Sequence, residues 1–186
     1  MHQHPSSAAL PGAIRQVGYV VTDLDRAVEA WLSLGVGPWY VMRGMPVHAL
    51  YGSEPCQISV SIALSNSGDV QIELLQQDDE TPSIYTEFLA SGQEGYQQLA
   101  WWVDDLDAAV KTIVGATGWP VVWSSDDRKS PLRYAYLQPP TGHPAHVIEI
   151  MERTAATDNF AEMLRNAADV WDGNQPVRVR APRTTT

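Results

Sequence analysis

The stretch QVGYVVTDLDRAV (residues 16–28) recurs without gaps as QLAWWVDDLDAAV (residues 98–110). A second pair of stretches, VQIELL (residues 70–75) and HVIEIM (residues 146–151), follows in the same order. The identical pairs are Gln16/Gln98, Val21/Val103, Asp23/Asp105, Leu24/Leu106, Asp25/Asp107, Ala27/Ala109 and Val28/Val110 in the first match, with Ile72/Ile148 and Glu73/Glu149 in the second. One such match can arise by chance, but two in the same order indicate an internal duplication.

Each copy begins with a strand that leads into a helix. Apolar residues recur at helical spacing over residues 24–32 and again over residues 106–114. Asp23 and Asp105 precede these segments as helix N-caps. Three further strands are predicted in each copy, at 39–47, 56–66 and 70–76 and at 120–125, 132–138 and 145–152. Each module is therefore predicted to be βαβββ.

The duplicated region is predicted to form one domain over residues 13–153. Module one covers 13–76, a linker with a short helix covers 77–94, and module two covers 95–153. An amphipathic C-terminal helix is expected within 154–172, and flexible tails at 1–12 and 173–186. The fold class is α+β, with two modules forming a cupped mixed sheet of approximate two-fold symmetry and the helices outside. The sequence leaves open whether the modules pair within one chain or across a dimer.

Composition narrows the class of partner. The chain has 186 residues, with 12 Lys+Arg against 22 Asp+Glu, a formal charge of −10 and a pI near 4.7. This balance argues against nucleic acid or an anionic membrane as partner, because both attract concentrated positive charge. The single cysteine, Cys56, excludes an intrachain disulfide. No apolar run is long enough to span a bilayer, and residues 1–7 lack the pattern of a signal peptide. We expect a soluble cytoplasmic protein that acts on a small molecule.

The repeated stretches resemble the vicinal-oxygen-chelate superfamily, which includes glyoxalases, bleomycin-resistance proteins and dioxygenases. IRQVGYVVTDLDRA (14–27), QIELL (71–75), GYQQLAWWVDDL (95–106) and VIEI (147–150) are similar to its methylmalonyl-CoA epimerase and glyoxalase I branch. The linker TPSIYTEFL (81–89) also looks like the epimerase branch. The resemblance covers about residues 13–152 and implies paired βαβββ modules. It also implies four metal-binding positions, which fall on Gln16, Glu73, Gln98 and Glu149.

The donor set departs from the family pattern. The family usually has histidine at one or both of the positions that Gln16 and Gln98 hold here. Two amides and two carboxylates suit Mg²⁺, Mn²⁺ or Ca²⁺ better than Zn²⁺. The alternative is a metal-free site in which both amides donate hydrogen bonds to Glu73 and Glu149. A ring-cleaving dioxygenase is disfavoured, because its iron needs two histidines.

Glu73 and Glu149 are the candidate catalytic residues. The family's shared operation is to stabilise an enolate-like anion beside a carbonyl, often with proton transfer. Burial and mutual repulsion would raise the pKa of at least one glutamate and make it a competent base near neutral pH. The alternative is that both are ordinary strand glutamates, one or both facing solvent.

Aromatic residues are the candidate substrate contacts. Trp102 shares its predicted face with Gln98, so we expect it to line the cleft. A flat apolar pocket would favour a bulky apolar or aromatic substrate. The alternative for the tryptophans is core and dimer packing, and for His48 an exposed loop position. The candidate set is Trp39, Tyr40, His48, Trp102 and Trp123.

Two functions follow from the sequence. The first is an isomerase, epimerase or lyase that removes a proton next to a carbonyl, with Glu73 and Glu149 as base and acid or as metal ligands. The second is a non-catalytic protein that sequesters a small molecule, as the drug-binding members of the same superfamily do. The first is the leading hypothesis, and the abundance of tryptophan and the absence of histidine ligands are consistent with the second. A homodimer is expected in either case.

Overall fold

The computed structural model describes residue 10 and residues 12–180. The two modules alternate strands and helices as the sequence predicts, with one additional strand near the C-terminus. The elements are β1 (Gln16–Val20), α1 (Leu24–Ser33), β2 (Trp39–Tyr51), β3 (Glu54–Ser67), β4 (Val70–Gln77), α2 (Ile84–Ala90), β5 (Gly95–Val103), α3 (Leu106–Thr117), β6 (Val121–Ser125), β7 (Tyr134–Leu137), β8 (Val147–Glu152), α4 (Ala155–Asp169) and β9 (Val177–Val179).

All nine strands that the structure describes belong to one mixed sheet, whose strand order is β3-β4-β1-β5-β8-β7-β6-β2-β9. An additional pairing of β2 with β3 joins the first eight strands into a closed ring. The modules meet where β1 runs antiparallel to β5 and where β2 runs antiparallel to β6. The modules therefore pair within one chain, which the sequence left open. The predicted α+β fold with a curved sheet and outer helices is confirmed.

The helices begin where the sequence predicts. The Asp23 side chain accepts a hydrogen bond from the backbone nitrogen of Arg26, and Asp105 does the same for Ala108. Helix α3 passes through Gly115 and ends at Gly118, whose φ of +71° suits a residue without a side chain. The duplicated aspartates thus fix equivalent strand-to-helix turns in both modules.

Three apolar clusters make up the core. One lies inside the ring of strands, and α2 adds Ile84, Tyr85 and Phe88 to it. A second lies between α1 and the outer face of module one, and a third between α3 and the outer face of module two. Side chains alternate between the inside and the outside along each strand. Representative inner residues are Val20, Val60, Leu75, Trp123, Tyr136 and Val147, and representative outer ones are Val28, Trp39, Leu74, Ile113, Leu137 and Ile150.

The C-terminal segment is more ordered than the sequence predicts. Residues 177–179 form β9, which runs parallel to the start of β2, although a flexible tail was predicted for 173–186. The backbone nitrogen of Trp39 donates to Pro176, and the Trp171 ring fits against Gly37, which has no side chain to obstruct it. Backbone pairing and one aromatic contact hold this segment in place. Neither requires a periodic pattern of apolar residues, so the sequence gives no sign of the strand. Residues 181–186 and most of the predicted tail 1–12 lie outside the described residues.

Among the helices of the described residues, none combines the length and the apolar character needed to cross a bilayer.

Candidate active site

Two glutamates and one glutamine converge inside the ring of strands. The amide nitrogen of Gln98 donates to Oε2 of Glu73 and to Oε2 of Glu149, at 2.9 Å in each case. Glu73 comes from β4 of module one, whereas Gln98 and Glu149 come from the adjacent strands β5 and β8 of module two. The site therefore forms only because the two modules pair through β1 and β5.

Gly18 makes this convergence possible. On β1 it pairs with Glu73 on one side and with Gln98 on the other, so it separates the two side chains. A Cβ atom placed on Gly18 would lie 2.3 Å from Cγ of Gln98, far closer than atoms can approach. Since glycine carries no Cβ, the Gln98 side chain crosses over β1 to reach Glu73. The glycine is thus part of the site, although it carries no chemical group.

Burial changes the acidity of both glutamates. Glu149 is 6% exposed and Glu73 is half-buried. Burial raises the pKa of Glu73 to about 7, and the hydrogen bond from Gln98 opposes this rise. Burial also raises the pKa of Glu149 well above its ordinary value, and the nearby charge of Glu73 raises it further. The charge of one carboxylate opposes ionisation of the other, so near neutral pH the two glutamates do not ionise together.

Two tyrosines that the sequence analysis did not select complete the site. The hydroxyl oxygens of Tyr85 and Tyr136 lie 3.3 Å apart, and Tyr136 pairs directly with Glu149 across β7 and β8. Burial raises the pKa of both tyrosines, so their hydroxyl groups stay protonated and can donate hydrogen bonds. For Tyr136, the alternation of Tyr134 and Tyr136 along a strand is the sequence feature that could have identified it. Tyr85, in contrast, enters from α2, whose position the sequence does not fix.

Gln16 does not join the glutamates. It is buried, but its amide nitrogen donates to Oε1 of Gln71 at 2.7 Å. Gln71 precedes Glu73 by two residues and faces the same side of β4. The parallel register of β1 and β4 places Gln16 directly beside Gln71, and this pairing explains the difference from the sequence expectation.

The arrangement does not fit a divalent metal ion. The atom shared by the two carboxylates is the Gln98 amide nitrogen, which donates hydrogen bonds and has no lone pair to offer a cation. The amide of Gln16, the fourth expected ligand, is bonded to Gln71 instead. Over the range that the structure describes, no three His, Cys, Asp or Glu side chains form a group that could hold a metal ion. For Gln98, the geometry corresponds to the metal-free alternative.

Two of the candidate aromatic residues lie on the inner face of the sheet. Trp123 is fully buried in the inner cluster, with its ring centre 5.8 Å from that of Tyr85. Trp102 is half-buried near the end of β5, where its ring lies 5.1 Å from the guanidinium carbon of Arg15. Trp123 thus borders the tyrosines of the site, whereas Trp102 lies further along its strand.

The other three candidates lie elsewhere. Trp39 is fully buried in the outer cluster under α1, and its indole nitrogen donates to the carbonyl of Val36. The hydroxyl of Tyr40 accepts a hydrogen bond from Arg178 on β9. His48 alternates with neighbours that pack into the inner cluster, so it faces outward. The sequence predicts Trp39 as a substrate contact, but burial under α1 determines where its side chain goes.

A cavity of about 290 Å³ lies between α4 and one end of the inner face. We call it the α4 cavity. Gln71 lines it, which places it next to Glu73 along β4. Its walls also include Arg15, Asn66, Trp102, Glu162 and Arg165.

Comparison with known proteins finds solved structures of the same fold. The most similar solved structures include methylmalonyl-CoA epimerase from Mycobacterium tuberculosis, which is 24% identical, with 84% of this chain and 97% of that chain covered and a TM-score of 0.52. A hypothetical protein from Bacillus halodurans is 19% identical, with coverage of 76% and 94% and a TM-score of 0.54. A variant of Streptomyces coelicolor methylmalonyl-CoA epimerase in complex with 2-nitronate-propionyl-CoA is 21% identical, with coverage of 77% and 95% and a TM-score of 0.53.

These likenesses show the fold. The search of curated proteins finds no match. Residues 15–136 match the family model described as Glyoxalase/Bleomycin resistance protein/Dioxygenase superfamily. The match covers well over half of the sequence and includes both copies of the repeated strand and helix. The chain therefore belongs to the glyoxalase/bleomycin resistance protein/dioxygenase superfamily, as its repeated motifs predict.

Proposed function

We propose that the protein is an isomerase, epimerase or lyase that removes a proton from the carbon next to a carbonyl group of a small molecule. The observation that carries this proposal is the pair Glu73 and Glu149, held on one amide nitrogen. An ordinary glutamate is too weak a base for a carbon acid, but one whose pKa lies near 7 is more basic and still partly ionised at neutral pH. The pair thus offers a base and an acid at the same pH.

The proton moves in two steps. Ionised Glu73 takes the proton from the substrate carbon, and the electron pair of the broken C–H bond moves to the carbonyl oxygen to form an enolate. Protonated Glu149 then returns a proton to the carbon, so the products are the isomer, protonated Glu73 and ionised Glu149. Exchange with water restores the starting protonation. In a lyase, departure of a leaving group from the enolate replaces the second transfer.

Hydrogen-bond donors would stabilise the enolate. The hydroxyl groups of Tyr85 and Tyr136 stay protonated and lie in the same buried cluster, so they are candidates to donate to the enolate oxygen. Gln98 is a positioning residue, because it orients both carboxylates without itself exchanging a proton. These roles follow from the groups that the buried site contains.

The substrate is proposed to be a bulky apolar or aromatic carbonyl compound. Trp123 and the tyrosines give the inner face an aromatic lining beside the glutamates. The fold likeness to methylmalonyl-CoA epimerases adds methylmalonyl-CoA to the compounds to be tested. A cytoplasmic location and a homodimer stay predictions of the sequence.

The proposed mechanism uses no metal ion. Members of the superfamily commonly bind a divalent metal, and Mg²⁺, Mn²⁺ or Ca²⁺ would suit two carboxylates and two amides better than Zn²⁺. Binding would require the Gln98 amide to turn its oxygen towards the carboxylates and Gln16 to leave Gln71. For this reason no step of the proton transfer is assigned to a metal ion.

The second candidate function is sequestration of an intact small molecule. One observation favours it. The amide nitrogen of Gln98 donates to both carboxylates, so these buried groups have partners within the protein. The aromatic inner face beside them could then serve binding alone. A fold does not determine the function of its site, so the same aromatic lining can serve binding alone.

Solvent exchange separates the two functions. Carbonyl compounds, with methylmalonyl-CoA among them, are incubated with the protein in deuterium oxide and followed by proton NMR and mass spectrometry. The enzyme proposal predicts deuterium at the carbon next to the carbonyl. Saturable binding of a compound that has such a hydrogen, with no deuterium entering it, would support sequestration and contradict the enzyme proposal.

A further inference from the structure

We propose that Gln77 is a positioning residue for the proton transfer, because it fixes where α2 holds the hydroxyl group of Tyr85. The inference rests on the proposed function, in which Tyr85 is a candidate donor to the enolate oxygen. Gln77 is the last residue of β4, and alternation along this strand places it on the same face as Glu73. One side chain of β4 thus sets the geometry between a base on the sheet and a hydrogen-bond donor on a separate helix.

The contact between Gln77 and α2 passes through Ser83. The Ser83 hydroxyl donates to Oε1 of Gln77 at 2.6 Å. The same hydroxyl accepts from the backbone nitrogens of Tyr85 at 3.0 Å and Thr86 at 3.2 Å, as the N-cap of α2. A serine hydroxyl has one donor and two acceptor positions, so all three are used. Ser83 is fully buried, and without Gln77 its hydroxyl would lose the acceptor for its proton, which favours a different arrangement at the start of α2.

The amide nitrogen of Gln77 is held as firmly as its oxygen. It donates to the carbonyl of Thr81 at 2.7 Å and to Oδ1 of Asp79 at 3.0 Å. The other carboxylate oxygen of Asp79 accepts from the backbone nitrogen of Ser59 on β3. Both ends of the Gln77 amide therefore have partners within the protein, and turning the amide over would break every one of these bonds. The start of α2 is thus tied to β3 and β4 by polar contacts in one arrangement.

The position of α2 decides where the hydroxyl group of Tyr85 lies. This hydroxyl is 3.3 Å from that of Tyr136, which pairs with Glu149 across β7 and β8. Burial raises the pKa of Tyr85, and the charges of Glu73 and Glu149 raise it further, which agrees with a position close to both. A misplacement of about 1 Å can lower a catalysed rate about 100-fold. The bond from Ser83 to Gln77 is therefore coupled to the chemistry through the placement of one donor.

Gln76 provides a matched control on the same strand. It is a half-buried glutamine like Gln77, but it faces the opposite side of β4. Its Oε1 accepts from the backbone nitrogen of Leu24 at the start of α1, at 2.8 Å. Gln77→Met and Gln76→Met thus remove the same groups, and each loosens the start of one helix. A loss of stability alone would affect both variants alike, whereas only Gln77→Met acts on Tyr85.

The kinetics of deuterium exchange test the proposal, with Tyr85→Phe and the double variant Gln77→Met/Tyr85→Phe included. We expect Gln77→Met to lower kcat at least about tenfold and to change KM less than about twofold, because the donor acts in the transition state. Gln76→Met should keep kcat within about twofold of wild type. In the Tyr85→Phe background, Gln77→Met should lower kcat less than about twofold. Equal losses in the two Met variants, or the same loss with and without the Tyr85 hydroxyl, would overturn the proposal.

A measurement without turnover distinguishes this inference from the proposed function. The ring C–H signals of Tyr85 in two-dimensional NMR are identified by their loss in Tyr85→Phe. Gln77→Met should shift these signals from their wild-type positions, and Gln76→Met should leave them in place. If wild type exchanges no deuterium, the proposed function fails, and the Tyr85 signals alone decide whether Gln77 positions this side chain. Unshifted signals in Gln77→Met would overturn the inference in either case.

Discussion

Glu73 and Glu149 share one hydrogen-bond donor, although they belong to different modules. Each accepts from the amide nitrogen of Gln98 at 2.9 Å, and each has a raised pKa because it is buried. Ionisation of either glutamate makes ionisation of the other more costly, so the two protons leave in separate steps. The apparent pKa of each step describes the pair and not one residue. The duplication therefore produces an acid–base pair that neither module could form alone.

The exchange rate should depend on pH through this pair. The rate rises as Glu73 loses its proton near pH 7, and it falls at higher pH as Glu149 loses the proton it must donate. Gln98→Leu removes a hydrogen bond that lowers the pKa of Glu73, so the rising limb should move to higher pH. The measurement is deuterium incorporation against pH, with the exposed Gln57→Leu as control. A rising limb that stays in place or moves to lower pH contradicts the assignment.

Gly18→Ala should disturb the site through sterics alone. The new methyl group would lie 2.3 Å from Cγ of Gln98 and would push that side chain away from Glu73. We expect unfolding in denaturant to show a loss of about 1–3 kcal/mol, together with a lower exchange rate.

Gly115→Ala is the matched control, because Gly115 lies in the last turn of α3 and a Cβ there meets nothing within 4 Å. It should leave the rate unchanged and should not destabilise the protein, since alanine favours helices. If Gly18→Ala behaves as Gly115→Ala does, the Gln98 side chain does not cross over β1 as described.

Stability should fall as pH rises through the site's titration range. A carboxyl group whose folded pKa exceeds its unfolded value of 4.5 stabilises the fold below about pH 4.5, and this contribution is lost as pH rises through the folded pKa. For Glu73 alone the loss is at most about 3 kcal/mol. The Glu149→Gln variant removes one of the two groups, so its free energy of unfolding should decrease less than that of wild type between about pH 4.5 and pH 8.

Denaturant titrations at several pH values provide this measurement, with Glu29→Gln on the exposed face of α1 as control. The control should follow the wild-type dependence on pH. Parallel curves for wild type and Glu149→Gln would mean that the buried carboxyl group does not titrate abnormally.

Removal of metal ions should leave the activity unchanged. Gln98 presents an N–H to both carboxylates and Gln16 is bonded to Gln71, so the site is complete with protein groups alone. Exhaustive dialysis against a chelator followed by the exchange assay and elemental analysis tests this. Loss of exchange that Mg²⁺, Mn²⁺ or Ca²⁺ restores would contradict the metal-free account.

The sequence could predict the fold and the core of the site because both depend on local periodicity. The repeat aligns Glu73 with Glu149, and alternation along the strands places Gln98 on the inner face. Equivalent strands of two paired modules then come together near the symmetry axis. No knowledge of side-chain contacts was needed for these inferences.

Other features depend on contacts that no local pattern specifies. Gln16 bonds to Gln71 because of the register of β1 and β4, and Trp39 faces outward because α1 covers that part of the sheet. Tyr85 reaches the site from a helix between the modules, so its role depends on how that helix packs. Strand β9 forms by backbone pairing with β2, which its sequence does not reveal.

Isomerisation of one substrate by wild type, Glu149→Gln and Glu29→Gln, followed in deuterium oxide, tests the central claim most directly. The account predicts that Glu149→Gln lowers the rate of isomerisation by about 10²- to 10⁴-fold with the fold intact, whereas Glu29→Gln matches wild type. Unchanged turnover in a correctly folded Glu149→Gln protein would contradict it.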